Sequence, residues 1–221
     1  ARDLIDVHRF RPSIGHFKQL PNTTMIASRG CPYRCTFCVA ANDFRQRSVE
    51  SVLAEVDHLV ARWGIRDILF YDEDLPRNRA WMVAFCEGLI ERDYDLVWSG
   101  NARVDRVDPE LLRLMRRAGC WKLLMGLETG SPGTLRRLAK DFTLDQARES
   151  VAAATDAGIA VFGTFIFGVP GETYDEALQT IDYALSLRHV EFAKFLNFTP
   201  FPGTPFWNKL EKHGTLVDAS L

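Results

Sequence analysis

Short apolar runs alternate with amphipathic segments along most of this chain. There are six such runs, and most have the near-continuous Val, Ile, Leu and Phe content of parallel strands that are buried on both faces. They cover residues 24–28, 67–71, 96–100, 122–127, 160–167 and 192–198. Amphipathic segments of helical period lie between them, so six consecutive βα units are predicted. Right-handed crossovers turn such units into a curved parallel sheet with helices outside, either an open barrel or a doubly wound sheet.

Local signals mark where several of the helices begin and end. A cap residue followed by proline, or a cap residue in the spacing of a capping box, predicts four helix starts. These pairs are Asp108 with Pro109, Ser131 with Pro132, Thr143 with Gln146, and Thr173 with Glu176. Glycine after the last helical residue predicts three helix ends, at Gly64, Gly119 and Gly158.

Polar residues collect where the predicted strands end, and this favours the barrel over the doubly wound sheet. The site of a βα barrel is built at the carboxyl-terminal rim of its strands. The residues concerned are Asp72, Glu73, Asp74, Asn101, Arg103, Glu128, Glu172 and Asn197. The predicted fold class is therefore α/β, a partial (open) TIM-like barrel of about six βα units with parallel strands.

Composition bounds the domain organisation and the partners. With 221 residues, 47% of them hydrophobic, the chain can bury the core of one domain of above-average size. We expect the barrel at residues 22–214, after a linker or the tail of a missing upstream domain at 1–21 and before a C-terminal tail at 215–221. A net charge of −2 argues against a nucleic-acid surface, and no apolar run approaches the ~18 residues that span a bilayer.

Three of the five cysteines, Cys31, Cys35 and Cys38, lie within eight residues. An odd number in this arrangement argues against a disulfide framework and for thiolate ligands in a reducing compartment, so a cytoplasmic location is expected. A structural zinc ion would need a fourth ligand, but Cys86 and Cys120 fall in a helix and at a strand start, where we expect buried structural thiols. A cubane 4Fe-4S cluster on three thiolates instead leaves one iron open for a small ligand. Zinc, or a metal that only stabilises an interaction module, remains the alternative.

The cysteine spacing, with Phe37 before the last cysteine, resembles the signature of the radical S-adenosylmethionine (SAM) superfamily. The resemblance extends over residues 22–214. It implies that the open iron binds the amino and carboxylate groups of SAM. One electron from the cluster then cleaves the bond between sulfur and the 5′-carbon and yields a 5′-deoxyadenosyl radical. An electron donor such as flavodoxin or ferredoxin is implied as a partner.

The resemblance also implies contacts to SAM from the acidic residues of the rim. Asp72 and Glu73 stand where the family places its amino-group motif, although that motif is commonly Gly-Gly-Glu, and Asp74 could instead cap the next helix. Glu128 resembles an acidic residue of the fourth strand that reaches the ribose hydroxyls or the amino group. Its alternative is an ion pair with a neighbouring arginine such as Arg103, which we also count among the cofactor-binding residues.

Apolar residues are expected at the adenine of SAM. The segment around Ile166 and Gly168 resembles the fifth-strand region that packs on this base, and Gly168 would permit a close approach of the backbone. Phe37 belongs to the same expected set. Phe201 at the last rim is a further candidate, with simple packing between prolines as its alternative.

Several segments resemble the branch of the superfamily that often carries an N-terminal cobalamin domain. They are residues 72–74, residues 101–105, the Gly-Leu-Glu-Thr-Gly-Ser turn and the Thr-Pro-Phe-Pro-Gly-Thr-Pro segment. This branch implies methylation or ring cyclisation of a small-molecule or peptide substrate, with cobalamin bound by a domain absent from this chain. We do not expect His8 to bind cobalamin, because Arg11 stands where the ligand motif has glycine. A methylthiotransferase is the sister alternative.

Overall fold

The computed structural model describes residues 9, 15–40 and 43–212. The described residues leave out the predicted tail at 215–221 and most of the predicted linker at 1–21, including His8 and Arg11. Among the described residues, the helices are all too short or too polar to cross a membrane.

Within the described ranges, six strands form one parallel sheet, and each of them joins the same growing edge in chain order. In chain order the strands are β1 (Asn22–Met25), β2 (Ser28–Arg29), β3 (Arg45–Gln46), β4 (Asp67–Phe70), β5 (Val97–Ala102), β6 (Cys120–Glu128), β7 (Ala160–Phe167) and β8 (Val190–Asn197). The sheet has the order β1-β4-β5-β6-β7-β8, while β2 and β3 form a separate antiparallel pair. A doubly wound sheet would reverse its strand order at one point. The uninterrupted order confirms the α/β fold of parallel βα units and is that of a partial barrel with β1 and β8 at its open edges.

Six α-helices connect the strands in the part of the chain that the structure describes. They are α1 (Val49–Trp63), α2 (Arg79–Arg92), α3 (Pro109–Arg117), α4 (Pro132–Arg137), α5 (Leu144–Asp156) and α6 (Tyr174–Ser186). The four predicted helix starts are confirmed, and both Thr143 and Thr173 complete their capping boxes. Gly64, Gly119 and Gly158 all have positive φ at helix ends, as predicted.

The first predicted strand is wrong at its carboxyl end. The expected run of residues 24–28 leaves the sheet after Met25, and Ser28 belongs to β2 instead. The reason lies in Asp72, whose carboxylate accepts hydrogen bonds from the Ala27 backbone N–H, at 3.0 Å, and from the Ser28 hydroxyl. These bonds draw the chain away from the sheet and towards the pairing of β2 with β3.

The main core lies between the sheet and the helices. Phe70, Phe85 and Trp98 pack edge to face there, and all three are almost fully buried. Cys86 and Cys120 lie in the same layer and are inaccessible to solvent, as expected of structural thiols. Their burial raises the pKa of Cys86 to about 12 and raises that of Cys120 as well.

The opposite face of the sheet is concave and is closed at its amino-terminal end by residues 15–19. Lys122 donates a hydrogen bond of 2.7 Å from Nζ to the carbonyl of Gly15. The backbone N–H groups of Lys18 and Gln19 donate to the buried Asp67 carboxylate. The carboxyl-terminal end of the concave face is therefore the end that can receive ligands.

Candidate active site

The cysteine loop connects β2 to β3, so the antiparallel pairing of these two short strands closes the base of the loop. Ser28 lies opposite Gln46 and Arg29 lies opposite Arg45. Inside the loop, the Cys31 N–H donates to the Ala40 carbonyl at 2.9 Å. Because its two ends are fastened together, the loop holds its cysteines in a confined region at the rim.

A second set of bonds fastens this loop to the rest of the domain. The Thr36 N–H donates to the Leu138 carbonyl at 3.1 Å, and the Thr36 hydroxyl donates to the Arg137 carbonyl at 2.8 Å. Between the last two cysteines, the Cys38 N–H donates to the Cys35 carbonyl at 3.2 Å. The cysteines are therefore held on a loop that is docked against the end of α4.

The three thiols of the loop are free and interact electrostatically. Cys35 is buried, while Cys31 and Cys38 are half-buried. Burial raises the pKa of Cys31 and of Cys38, and the neighbouring Cys35 raises both further. Among residues 9, 15–40 and 43–212, no three His, Cys, Asp or Glu side chains already converge on one metal position. A cubane cluster requires a wider arrangement, since each of the three thiolates would bind a different iron, and three neighbouring soft thiols suit it.

Arg103 supplies positive charge beside this loop. Its guanidinium Nη1 lies 4.0 Å from the Cys35 sulfur, and its charge lowers the pKa of Cys31 against the larger effect of burial. The guanidinium also lies 3.6 Å from the centroid of the Tyr33 ring, and its Nε donates to Asp105 at 2.9 Å. A fixed cation next to cysteines favours the thiolate form that binds metal.

Glu128 forms an internal ion pair, as its alternative interpretation expects, but the partner is Lys140 and not the suggested Arg103, which pairs with Asp105. The Lys140 Nζ lies 2.6 Å from Glu128 Oε1, and the two side chains are 8% and 7% exposed. Burial by itself would lower the pKa of Lys140, but the attraction of Glu128 raises it above the usual value. Lys140 is not among the site residues predicted from the sequence, because no local pattern indicates a partner for Glu128 that is twelve residues away.

Glu128 also has an unusual backbone conformation. Its φ of 66° lies in the left-handed region, which residues other than glycine rarely adopt, and the register with β7 shifts at this point. Such a conformation is held by its surroundings and is found most often at functional sites. The irregular end of β6 thus directs a carboxylate towards the rim.

The acidic residues after β4 take three different positions. Asp72 is 1% exposed and uses both oxygens to hold Ala27 and Ser28. Asp74 is also buried, and its carboxylate accepts the Arg103 backbone N–H at 3.1 Å. Asp74 stands at the N-cap position of a short 3-10 helix (Leu75–Arg77), as its alternative role expects, but its side chain makes no capping hydrogen bond. Glu73 alone of the three is exposed at the rim. Burial raises the pKa of each of these carboxyls.

Two of the apolar candidates meet in one small cluster. Ile166 is buried with Leu138 and Val169, and Phe37 packs against the same group. Gly168 has a φ of +77°, and the space where a β-carbon would stand is open. Phe201 is 52% exposed and lies outside this cluster. The structure therefore brings Phe37, Ile166 and Gly168 to one side of the rim but leaves Phe201 apart.

Comparison with protein families gives a match over most of the chain. The model described as the radical SAM superfamily matches residues 25–184, which include the three loop cysteines and the carboxyl ends of β4 to β7. The same residues carry the candidate contacts Asp72, Glu73, Arg103 and Glu128.

Individual relatives are longer than this chain. An uncharacterized methyltransferase of Pyrococcus horikoshii is 32% identical over 85% of the chain and 42% of its own length. An anaerobic magnesium-protoporphyrin IX monomethyl ester cyclase of Rubrivivax gelatinosus is 30% identical over 83% of the chain and 34% of its own length. The solved radical SAM methyltransferase TsrM of Kitasatospora setae has the same fold, with a TM-score of 0.79 at 23% identity over 86% of the chain and 39% of its own. The chain therefore spans less than half of each.

Proposed function

Because the chain belongs to the radical SAM superfamily, we propose that it is the radical-generating core of an enzyme that methylates or cyclises a small-molecule or peptide substrate. Cys31, Cys35 and Cys38 would hold a 4Fe-4S cluster. When bound, this cluster supplies the electron that cleaves SAM. The observation that carries the proposal is the cysteine loop, which holds three free, interacting thiols at the carboxyl-terminal rim of a parallel barrel sheet.

Glu73 is the acid that we assign to the ammonium group of SAM. It is exposed at the rim next to the cysteine loop, and its charge acts on Cys38. Asp72 is predicted for the same task, but its two oxygens are already bonded to Ala27 and Ser28. We therefore give Asp72 a positioning role, in which it fixes the base of the cysteine loop.

Glu128 is assigned to the ribose hydroxyls or the amino group of SAM. The Lys140 ammonium lies 2.6 Å from Glu128 Oε1 and neutralises the buried charge of this carboxylate. A carboxylate held in this way is preorganised, so a ligand hydroxyl can bind without reorientation of the side chain. Phe37, Ile166 and Gly168 would contact the adenine, with Phe201 as a further candidate and Arg103 beside the cluster.

The relatives favour methylation or ring closure over methylthiolation. Two of those described above are named as a methyltransferase and a cyclase, and a solved TsrM structure contains cobalamin together with a 4Fe-4S cluster. We propose that cobalamin would be bound by a part of the enzyme that this chain does not contain. A flavodoxin or ferredoxin as the electron donor and a cytoplasmic location belong to the same proposal.

Anaerobic reconstitution with iron and sulfide tests the proposal. With SAM and dithionite, the native chain is expected to yield 5′-deoxyadenosine, and Cys35→Ala is expected to reduce the yield to background because the cluster loses a ligand. Cys86→Ala serves as the matched control, since this buried thiol lies away from the loop and its removal should leave the product yield within about twofold.

A second readout separates an enzyme from a module that only binds metal. Addition of SAM should change the electron paramagnetic resonance spectrum of the reduced cluster if an iron is open to it. A native chain that binds zinc, or that carries a cluster whose spectrum ignores SAM and yields no 5′-deoxyadenosine, would contradict the proposal.

A further inference from the structure

A cavity of about 370 Å³ lies on the concave face of the sheet, below the candidate active site. Its walls include the side chains of Leu124, Phe162 and Phe192, and its floor is formed in part by Gly15. The rings of Phe162 and Phe192 lie 5.3 Å apart between centroids. A volume of this size falls in the range that holds small organic ligands, and the aromatic walls would bury a flat apolar group.

Lys194 brings one positive charge to this apolar cavity. It lies opposite Thr164 in the register of β7 with β8, two residues after Phe192 and therefore on the same face. Its side chain is exposed, and among the described residues it has no hydrogen bond and no ion pair. The charge is therefore available to a ligand.

Other lysines near the concave face already have internal partners. Lys122 donates to the Gly15 carbonyl at 2.7 Å, and Lys140 is paired with Glu128 at 2.6 Å. Both of these side chains are buried or nearly so, and their contacts stabilise the fold. Lys194 differs because nothing in the described part of the chain neutralises it.

The cavity shares two residues, Thr164 and Lys194, with the row of strand residues that ends beneath Glu128. Gly126 lies opposite Thr164, and Thr164 lies opposite Lys194, so the three form one row across β6, β7 and β8. Glu128 Oε1 lies 2.4 Å from the place where a β-carbon of Gly126 would stand. Adjacent strands are separated by about 4.8 Å, so the backbones of Gly126 and Lys194 are about 10 Å apart across the sheet.

We propose that this cavity binds the substrate, and that the substrate is an aromatic or otherwise apolar small molecule with an anionic group that pairs with Lys194. The proposal names the substrate class of the proposed function and rests on it. Because Lys194 is exposed, its pairing with an anion contributes only modestly to affinity, and the apolar walls supply the rest of the binding. A lysine ammonium acts as a point charge without a geometric preference, so both a carboxylate and a phosphate fit the same requirement.

Binding of three matched probes to the cluster-reconstituted chain tests this inference. The probes are 1-naphthoate, 1-naphthyl phosphate and the neutral 1-naphthalenemethanol, and their dissociation constants are measured by anaerobic equilibrium dialysis. Lys194→Ala is expected to weaken binding of the two anions by about fivefold and to change binding of the alcohol by less than about twofold. Of the two anionic probes, the one that loses more affinity in Lys194→Ala shows whether a carboxylate or a phosphate is the preferred group. Phe192→Ala is expected to weaken all three, since it removes an apolar wall.

Lys209→Ala is the matched control, because Lys209 is also exposed but is not part of the cavity. An unchanged affinity for the anions in Lys194→Ala, an equal loss for the alcohol, or an equal loss in Lys209→Ala would overturn the inference. The dialysis does not depend on SAM cleavage. A native chain that makes no 5′-deoxyadenosine would refute the proposed function, whereas the Lys194 measurement decides the anion site separately.

Discussion

Strands β6 and β8 belong to the same sheet and have similar lengths, yet their side chains are in opposite environments. Most residues of β6 are buried, whereas β8 is exposed along almost its whole length. Each strand carries a lysine on the concave face. In β6 the charged groups Lys122 and Glu128 have partners inside the protein, while Lys194 of β8 has none among the described residues.

This difference follows from the energetic cost of burying charge. A buried ion without a partner costs several kcal/mol, so a strand in the middle of the sheet can carry charge only where the fold neutralises it. Water solvates the charge of an edge strand at little cost. We infer that β6 contributes mainly to stability and to the rigid placement of Glu128, while β8 retains side chains that are available to other molecules.

Removal of the Lys140 charge should have the largest effect on stability. Lys140→Met leaves the Glu128 carboxylate buried without a counter-charge and is expected to lower the free energy of unfolding by about 4 kcal/mol. Urea-induced unfolding followed by far-ultraviolet circular dichroism at pH 7 measures this. The matched change on the edge strand, Lys194→Met, should cost less than about 0.5 kcal/mol.

A double variant shows whether this loss comes from the unpaired charge. Glu128→Gln combined with Lys140→Met leaves no buried charge, so it should recover most of the stability that Lys140→Met loses. If Lys140→Met and Lys194→Met lowered the free energy of unfolding equally, the inference that β6 and β8 differ in their electrostatic environment would be contradicted.

Truncation of one leucine in each strand compares their apolar packing. Leu123 of β6 is inaccessible to solvent, whereas Leu196 of β8 is 39% exposed. Leu123→Ala should lower the free energy of unfolding by about 3 kcal/mol, because it removes buried surface and leaves a cavity. Leu196→Ala should cost under about 1 kcal/mol, and the same urea titration measures both. Similar costs would mean that β8 is packed as tightly as the interior.

Local sequence signals account for the parts of the fold that are predicted well. Capping at Asp108, Ser131, Thr143 and Thr173 depends on residues that are one to three positions apart, so it is readable from the chain. The cysteine spacing belongs to one loop and is equally local. The order of the strands follows from the repeated βα unit and its handedness.

The unpredicted features all depend on contacts between distant residues. The apolar run around Phe192 and Phe195 has the composition of a buried strand, but composition does not reveal that this strand lies at an edge. The pairing of β2 with β3 involves two residues on each side, too few to give an alternating pattern. The inward turn of Asp72 depends on a loop more than forty residues earlier in the chain.

Removal of the ion pair that attaches α6, the helix before β8, should have the smallest effect on the free energy of unfolding, and this effect should depend on pH. Arg137 of α4 donates to both oxygens of Glu176 in the α6 capping box, at 2.9 Å and 3.0 Å. The Arg137 hydrogen bond, followed by the Thr173 backbone N–H, lowers the pKa of Glu176 to about 2. An acid with a lowered pKa stabilises the folded state above its unfolded pKa of about 4.3, and this stabilisation is lost as the pH falls towards 2.

Arg137→Met should therefore be less stable than the native chain by about 1 kcal/mol at pH 6, since the pair is partly exposed and screened. The difference in stability should narrow from about pH 4.3 downwards, where Glu176 of the variant binds a proton, and close only towards pH 2, where Glu176 of the native folded chain does so too. Urea titrations at pH 6, 4 and 3 follow this narrowing. Arg188→Met, at another exposed arginine close to β8, is the control and should show no pH-dependent gap. A gap that stays constant from pH 6 to 3 would mean that Arg137 acts through packing. The attachment of α6 to α4 would then depend on packing, and paired charge would stabilise the buried site of Glu128 but not this partly exposed pair.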